Sequence, residues 1–318
     1  MIAVVGEALI DLLVDDGGEV TARPGGGPFN TARTLGRLGA ETMFLGRLSG
    51  DGFGRMLRTR LAEDGVEIGV AAAADQPSPL AVADRRPGGA VSYDFYVAGS
   101  AAACLEYPML AAALPDCLTA LHVGTMALAM EPVAAAVERL LLTDLPPDVL
   151  VMVDPNCRPA LIADREAYLD RFERVLHRAD VVKVSAEDLG YLCPGVPAEV
   201  AATTLLDDKL ALVIVTDGPR PARAFLPGGE VKVCVPQVRV VDTTGAGDAF
   251  GGAFLAWWSA SGLGRDDLWS AGHVARALRA AAWVAALTCT RAGAEPPSRA
   301  EVIARYRWPS RPADPARP

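Results

Sequence analysis

The sequence predicts an α/β fold in which helices cover both faces of a mostly parallel central sheet and a small β lid lies over it. After Thr42, short apolar runs typical of buried strands alternate with segments of helical periodicity. Between Val66 and Ala98 the chain carries β-like runs and turn signals but no helical pattern. Polar residues follow the apolar runs, at the strand ends where ligands bind in open α/β sheets. These observations indicate one large domain with a β insertion.

The N-terminal part predicts strands before the first helix. Its strand-like runs are residues 2–5, 8–14 and 20–23, with an Asp-Asp-Gly-Gly hairpin signal at 15–18. Residues 30–38 then predict a helix, because Ala32, Leu35 and Leu38 recur on one face.

The rest of the chain supplies the alternating elements. Further strands are predicted at residues 42–45, 70–74, 80–84, 90–96, 118–123, 149–153, 181–184, 210–215 and 231–240. Further helices are predicted at residues 54–63, 132–142, 165–177, 251–260 and 268–287. We assign residues 1–306 to the domain and about 12–24 and 66–98 to the lid. Residues 307–318, rich in Pro and Arg, predict a disordered tail.

Composition limits the possible partners. The chain has 318 residues, is 51% hydrophobic and carries a net charge of −9, which argues against a general nucleic-acid binder. Six cysteines without a C-x-x-C pair indicate free thiols in a reducing cytoplasm. Residues 271–289 come nearest to a membrane span, but His273, Arg276 and Arg279 favour a core helix. We therefore expect a cytoplasmic protein.

The most informative stretch is residues 241–250, Val-Asp-Thr-Thr-Gly-Ala-Gly-Asp-Ala-Phe. Gly245, Ala246 and Gly247 lie where a strand gives way to a helix, and free amides at a helix start can hold an anion. Asp248 can take a proton from a substrate hydroxyl or can simply cap the helix. The stretch does not fit a dinucleotide fingerprint, since Phe250 stands in place of the third glycine.

This stretch resembles the C-terminal signature of the ribokinase-like (PfkB) carbohydrate kinases. Residues 25–32 and 35–40 are similar to their N-terminal signature, and the resemblance runs over about residues 2–298. It implies a ribokinase-like fold and phosphorylation of a sugar hydroxyl by ATP with Mg²⁺. It also implies a lid that covers the sugar and can pair two subunits as a homodimer. Asp248 would be the base, and the Gly245–Gly247 turn would be the anion hole.

The resemblance also implies an acceptor site. It assigns sugar binding to Asp11, Gly26, Gly27 and Asn30. Periodicity alone favours an exposed strand residue at Asp11, and Asn30 could instead be a helix N-cap. Arg158, in an Asp-Pro-Asn-x-Arg motif typical of fructokinase-like members, could hold a phosphate or a sugar oxygen. A surface salt bridge is the alternative for Arg158.

The nucleotide and cation sites follow in the same way. The resemblance assigns nucleotide binding to Ser185, Asp188, Thr216, Gly218, Gly245 and Gly247, although most family members have Asn and Glu in place of Ser185 and Asp188. It assigns a monovalent cation, K⁺, to Asp242, Thr244, Thr288 and Gly293, with the Arg291 guanidinium as a candidate substitute for the ion. A nucleoside kinase and an inactive sugar-binding regulator stay open as alternatives, and the sequence does not name the sugar.

Overall fold

The computed structural model describes residues 1–15, 17–85, 91–206 and 210–309. Its strands are β1 (Ile2–Val5), β2 (Leu9–Val14), β3 (Val20–Gly25), β4 (Thr42–Leu45), β5 (Val66–Ile68), β6 (Leu80–Arg85), β7 (Val91–Tyr96), β8 (Ala120–Gly124), β9 (Leu150–Asp154), β10 (Val181–Ser185), β11 (Leu212–Thr216), β12 (Ala222–Leu226) and β13 (Gly229–Val233).

The helices cover both faces of the main sheet. They are α1 (Gly27–Arg37), α2 (Gly52–Glu63), α3 (Tyr107–Ala112), α4 (Met126–Ala129), α5 (Val133–Arg139), α6 (Arg165–Leu176), α7 (Ala186–Leu192), α8 (Ala198–Leu205), α9 (Ala246–Ala260), α10 (Ala271–Thr288) and α11 (Arg299–Ile303). A π-helical turn, Leu140–Asp144, continues α5, and short 3-10 turns cover Pro159–Leu161 and Arg265–Trp269.

The main sheet confirms the predicted α/β architecture. In the described chain it has nine strands in the order β13-β12-β11-β10-β9-β8-β1-β4-β5. In this order, all neighbouring strands from β11 to β5 pair in parallel, whereas β12 pairs antiparallel with both β11 and β13. Strands β1 and β9 are buried along their whole length, as expected of parallel strands covered on both faces. One apolar cluster packs under α1, α9 and α10, and a second under α5 to α8.

The lid is a separate sheet with the strand order β3-β2-β6-β7. Its bounds differ from the prediction, because β5 pairs with β4 in the main sheet and residues 70–74 contribute only the isolated bridge Ser49–Ala74. In β2, Asp11 lies opposite Arg23 of β3 and beside Ala81 of β6. Residues directly opposite in a sheet share one face, so Asp11 and Arg23 both lie on the face that lines the cavity described below.

Three further expectations need correction in the C-terminal half. Strand β13 ends at Val233, not at residue 240, and Pro236 in the following segment has no N–H to donate to a ladder. Helix α9 begins at Ala246, five residues earlier than predicted. Trp308, expected in the tail, is buried in the main core, while residues 310–318 lie outside the described residues.

Two expectations about compartment and membrane can be compared with the fold. All six cysteines are free, but only Cys157 is buried, and Cys117 and Cys234 are exposed. Across the parts of the chain that the structure describes, no helix combines the length and the apolar character that crossing a membrane requires.

Candidate active site

The start of α9 is shaped to hold an anion. Gly245 adopts a left-handed conformation, with φ 75°, and a Cβ there would lie 2.5 Å from Cβ of Ala294, so only glycine fits. The N–H of Ala246 donates to the Thr243 carbonyl at 3.2 Å. Within the described residues, the N–H groups of Gly247 and Asp248 have no carbonyl partner, as is usual in a first helical turn. These amides and the helix dipole favour negative charge at this point.

Asp248 lies beside these amides and meets the N-terminal part of α1. Asn30 Nδ2 donates to Asp248 Oδ2 at 2.9 Å. Asn30 is the fourth residue of α1, whose N-cap is Gly26, so the N-cap alternative for Asn30 is wrong. Burial raises the pKa of Asp248 above its ordinary value, although the hydrogen bond from Asn30 and the charges of Lys183 and Arg158 lower it. The two helix starts therefore converge on one carboxylate.

Asp11 reaches the same crevice from the lid. Its Oδ2 lies 2.0 Å from the ideal Cβ position of Gly25, so glycine at residue 25 is required for this approach. Burial, followed by the charge of Asp248, raises the pKa of Asp11 to about 6 against the opposing charge of Arg158. Arg158 is exposed, and Nη1 donates to the Cys157 carbonyl at 3.1 Å. Asp11, Asp248 and Arg158 thus share one electrostatic environment.

A cavity of about 320 Å³ separates the lid from the main domain. The lid contributes Asp11, Arg23 and Tyr93, and the loops on the opposite side contribute Asp242, Thr244 and Gly293. Arg23 Nη1 would lie 3.0 Å from a Cβ on Gly293, so the lid side chain is packed against that loop. Sequence reasoning missed Arg23 and Tyr93, because only the pairing of lid strands identifies the residues that face inward.

Glu7 supports the glycine turn before α1. Its Oε1 accepts from the Gly27 N–H, and its Oε2 accepts from the Met126 N–H, both at 3.2 Å. Gly26 has a φ of 106°, and a Cβ built on it would lie 2.9 Å from the Glu7 carbonyl oxygen. Burial raises the pKa of Glu7 to about 8. The sequence signal for Glu7 was an acidic residue that follows a buried strand after a single glycine.

A buried ion pair lies beneath the anion-binding turn. Lys183 Nζ and Asp154 Oδ2 are 2.7 Å apart, and their side chains are 5% and 4% exposed. Lys183 Nζ also lies 3.1 Å from the ideal Cβ position of Gly247. Burial lowers the pKa of Lys183, but Asp154 outweighs this and the pKa lies above its ordinary value. Sequence reasoning missed Lys183, although a lone lysine in the apolar run at residues 181–184 was a signal for it.

Ser185 and Asp188 form a local structure at the start of α7. Ser185 Oγ accepts from the Asp188 N–H at 2.9 Å, and Asp188 Oδ2 accepts from the Ser185 N–H at 2.8 Å, which is a capping box. Asp188 Oδ1 accepts from the Cys157 N–H at 2.7 Å. Thr216 pairs with Ser185 at the carboxyl ends of β11 and β10. Nucleotide contact by these residues, and by the exposed Gly218 that follows, stays a prediction.

Asp242 ties two loops together. Its Oδ1 accepts from the N–H and the hydroxyl of Thr244 at 3.0 and 2.7 Å, and its Oδ2 accepts from the Gly293 N–H at 2.8 Å. Burial acts to raise the pKa of Asp242, but these bonds and the charge of Arg23 hold it below its ordinary value. Thr288 is buried at the end of α10, and its hydroxyl donates to the Val284 carbonyl at 2.9 Å.

These residues fit a monovalent cation in part. A carboxylate has about four lone-pair directions, so Asp242 can still coordinate an ion. Arg291 does not substitute for one, because its guanidinium bonds Glu301 and the Glu295 carbonyl instead. The guanidinium beside Asp242 is that of Arg23. The described residues contain no cluster of three or more His, Cys, Asp or Glu side chains for a metal, so Mg²⁺ would depend on nucleotide phosphates and water.

Comparison with known proteins adds the family context. Residues 1–301 match the family model described as pfkB family carbohydrate kinase. The chain is 33% identical to the probable fructokinase-5 of Arabidopsis thaliana over 305 residues, 93% of each chain. The solved fructokinase of Vibrio cholerae O395 with fructose, ADP and calcium superposes with a TM-score of 0.84 at 28% identity, covering 95% of this chain and 97% of that one. The aminoimidazole riboside kinase of Salmonella enterica, solved with aminoimidazole riboside and an ATP analogue, superposes with a TM-score of 0.82 at 26% identity. The match covers 95% of this chain and 98% of that one.

Proposed function

Because this chain belongs to the pfkB family of carbohydrate kinases, and is thus a phosphotransferase with a sugar hydroxyl as acceptor, we propose that it phosphorylates a fructose-like ketose with ATP. The observation that carries the proposal is the position of Asp248. Its carboxylate is hydrogen-bonded to Asn30 and lies beside free amides at the start of α9. A base and an anion site next to each other are what transfer of a phosphoryl group to a hydroxyl needs.

In this proposal the acceptor lies between the lid and α1. Asp11 and Asn30 hold sugar hydroxyls, with Gly26 and Gly27 allowing close approach of the backbone, and Arg158 holds a sugar or phosphate oxygen. Asp248 takes the proton of the reacting hydroxyl as the oxygen attacks the γ-phosphorus. The proton is needed only late in a loose transition state, so a weak base in the right position is sufficient.

The phosphates lie along the carboxyl edge of the sheet. The Gly245–Gly247 turn receives the charge that develops on the transferring group through the free amides of Gly247 and Asp248, and Lys183 adds a positive charge beneath them. Ser185, Asp188, Thr216 and Gly218 border the nucleotide. Mg²⁺ bound to the phosphates would supply further charge neutralisation. K⁺ at Asp242, Thr244, Thr288 and Gly293 would fix the loop beside the anion site.

Two observations bear on the acceptor. Fructokinases from several organisms are among the relatives, which favours a ketose. The similarity to a riboside kinase keeps a nucleoside as the second candidate. An ATP-consumption assay over ketoses, aldoses, keto-deoxy acids and nucleosides distinguishes them. Sugar binding without ATP consumption would support the inactive regulator and contradict the kinase proposal.

The catalytic assignment is tested by Asp248→Asn. The change keeps the size of the side chain but removes its ability to accept a proton, so kcat should fall by about 10²- to 10⁴-fold. Nucleotide affinity and melting temperature should stay close to wild type. Asp248→Ala is the matched control, because a residue that only caps the helix would lose about 1 kcal/mol of stability and little turnover. Near-normal kcat in Asp248→Asn would end the proposed mechanism.

A further inference from the structure

Two residues next to the candidate active site have unusual backbone conformations. Of the non-glycine residues that the structure describes, Thr125 and Asn156 have a positive φ, 51° and 39°. They follow β8 and β9, which are neighbours in the sheet. Asn156 Nδ2 donates to Thr125 Oγ1 at 3.1 Å. Both residues therefore belong to one hydrogen-bonded pair at the carboxyl edge of the sheet.

The conformation of Thr125 is unfavourable for a β-branched residue. Its φ of 51° and ψ of −114° are the mirror image of extended backbone, which glycine populates readily and threonine does not. Surrounding bonds hold it in place: the Thr125 N–H donates to the Asp154 carbonyl at 3.3 Å, and the Met126 N–H donates to Glu7 at 3.2 Å. Strain that the surroundings enforce in this way is concentrated at functional sites.

The pair and Asp248 meet around Gly27. Three polar atoms approach the ideal Cβ position of Gly27: Thr125 Oγ1 at 2.8 Å, Asn156 Nδ2 at 3.0 Å and Asp248 Oδ1 at 3.4 Å. Since Asn156 donates to Thr125, the Thr125 hydroxyl keeps its own proton for another acceptor. Asp248 Oδ1 can accept a proton from a donor. A substrate hydroxyl between them would donate to Asp248 and accept from Thr125.

We propose that Thr125, held by Asn156, positions the reacting hydroxyl of the acceptor against Asp248. This inference rests on the proposed function. As the acceptor oxygen forms its bond to the γ-phosphorus, its proton passes to Asp248 Oδ1 and ADP leaves with the bonding electrons. The Thr125 hydroxyl donates to a lone pair of the acceptor oxygen that does not attack, which fixes the direction of attack. Thr125 thereby determines which hydroxyl of the sugar is presented.

Three substitutions at Thr125 separate the hydroxyl from the backbone strain. Thr125→Ser keeps the hydroxyl, Thr125→Ala removes it but keeps a Cβ in the strained conformation, and Thr125→Gly removes it and permits that conformation. We expect Thr125→Ser to retain kcat/KM for the acceptor within about threefold. We expect Thr125→Ala and Thr125→Gly to lose roughly 10- to 100-fold, on the scale of one positioning hydrogen bond, with KM for ATP unchanged.

Stability provides the second measurement. Thr125→Gly should melt at a higher temperature than Thr125→Ala, by a few degrees, because glycine relieves the strain. Acceptor kinetics of Thr125→Ala equal to wild type would overturn the positioning role, whatever the melting temperatures. So would a loss in Thr125→Ser as large as in Thr125→Ala. Wild-type enzyme that consumes no ATP with any acceptor would instead overturn the proposed function, and with it this inference.

Discussion

The Lys183–Asp154 ion pair allows a prediction for both stability and catalysis. Lys183→Met leaves the Asp154 carboxylate buried without its partner. Breaking a buried pair in this way costs about 3–5 kcal/mol. Asp154 can limit this loss by taking up a proton in the folded state. Relative to an unfolded chain in which Asp154 has the ordinary pKa of about 3.9, that protonation costs at most about 4 kcal/mol at pH 7 and about 1.5 kcal/mol at pH 5. The destabilisation should therefore be much smaller at pH 5.

The catalytic effect follows from the position of the ammonium group. Lys183 Nζ lies 3.1 Å from the ideal Cβ position of Gly247. An anion held by the amide of Gly247 at a hydrogen-bond distance of about 3 Å would therefore lie roughly 6 to 8 Å from the ammonium group. At an effective dielectric constant of about 20, the attraction is about 2 to 3 kcal/mol, or roughly 30- to 100-fold in rate. We expect kcat/KM for ATP to fall by that order in Lys183→Met.

A double variant separates the two effects. Lys183→Met combined with Asp154→Asn removes both charges, so urea unfolding should show most of the stability restored. The kcat/KM for ATP should recover only in part, because loss of the Asp154 charge removes a repulsion but the positive charge is still missing. The reasoning would be refuted if the double variant turned over like wild type, since Lys183 would then act only through stability. The reasoning would also be refuted if the double variant lost as much unfolding free energy as the sum of the losses in Lys183→Met and Asp154→Asn alone.

Three other features give further predictions. Burial raises the pKa of Glu7 to about 8, so the folded state retains a proton that the unfolded chain has lost, and stability falls as pH rises towards 8. The free energy of unfolding should therefore fall by about 1 kcal/mol from pH 7 to pH 8 in wild type and stay nearly level in Glu7→Gln. Buried His122, whose pKa is lowered to about 3, stays neutral in the folded state over this range. K⁺ should raise turnover through the Asp242 loop, and equal rates in K⁺, Na⁺ and a large organic cation would contradict this. A homodimer should form through the lid, whose edge strands β3 and β7 carry the exposed Val20 and Tyr96; light scattering that shows a monomer at assay concentration would rule it out.

The sequence alone predicted those features whose residues lie close together in the chain. The turn at Gly245–Gly247 and the place of Asp248 just inside a helix could be predicted because glycines, a helix start and a carboxylate lie within a few residues, although α9 begins five residues earlier than predicted. The capping box of Ser185 and Asp188 was equally local, since Ser-x-x-Asp before an apolar run is a known helix start. The family pattern assigns these two residues to ligand contact instead of to this simpler role.

The missed residues depend on the packing of distant segments. Lys183 meets Asp154 only because β10 lies beside β9, and Arg23 meets Gly293 only because the lid folds over the main domain. Residues 66–74 were assigned to the lid because both sheets use short β-like runs, and sequence does not state which edge a run will join. The strain at Thr125 was invisible for the same reason: its backbone angles are fixed by Asp154 and Glu7, not by its neighbours.

The charges of the crevice show how an acidic chain can handle a polyanion. The chain has a net charge of −9 and only three lysines, so its long-range field repels ATP. One of those lysines, Lys183, is buried beneath the anion-binding turn, where a low effective dielectric constant strengthens its attraction. Amides at the start of α9 add positive potential without adding net charge. Asp11 and Asp248, both with pKa raised by burial, can therefore stay beside the phosphate without making the whole crevice repel it.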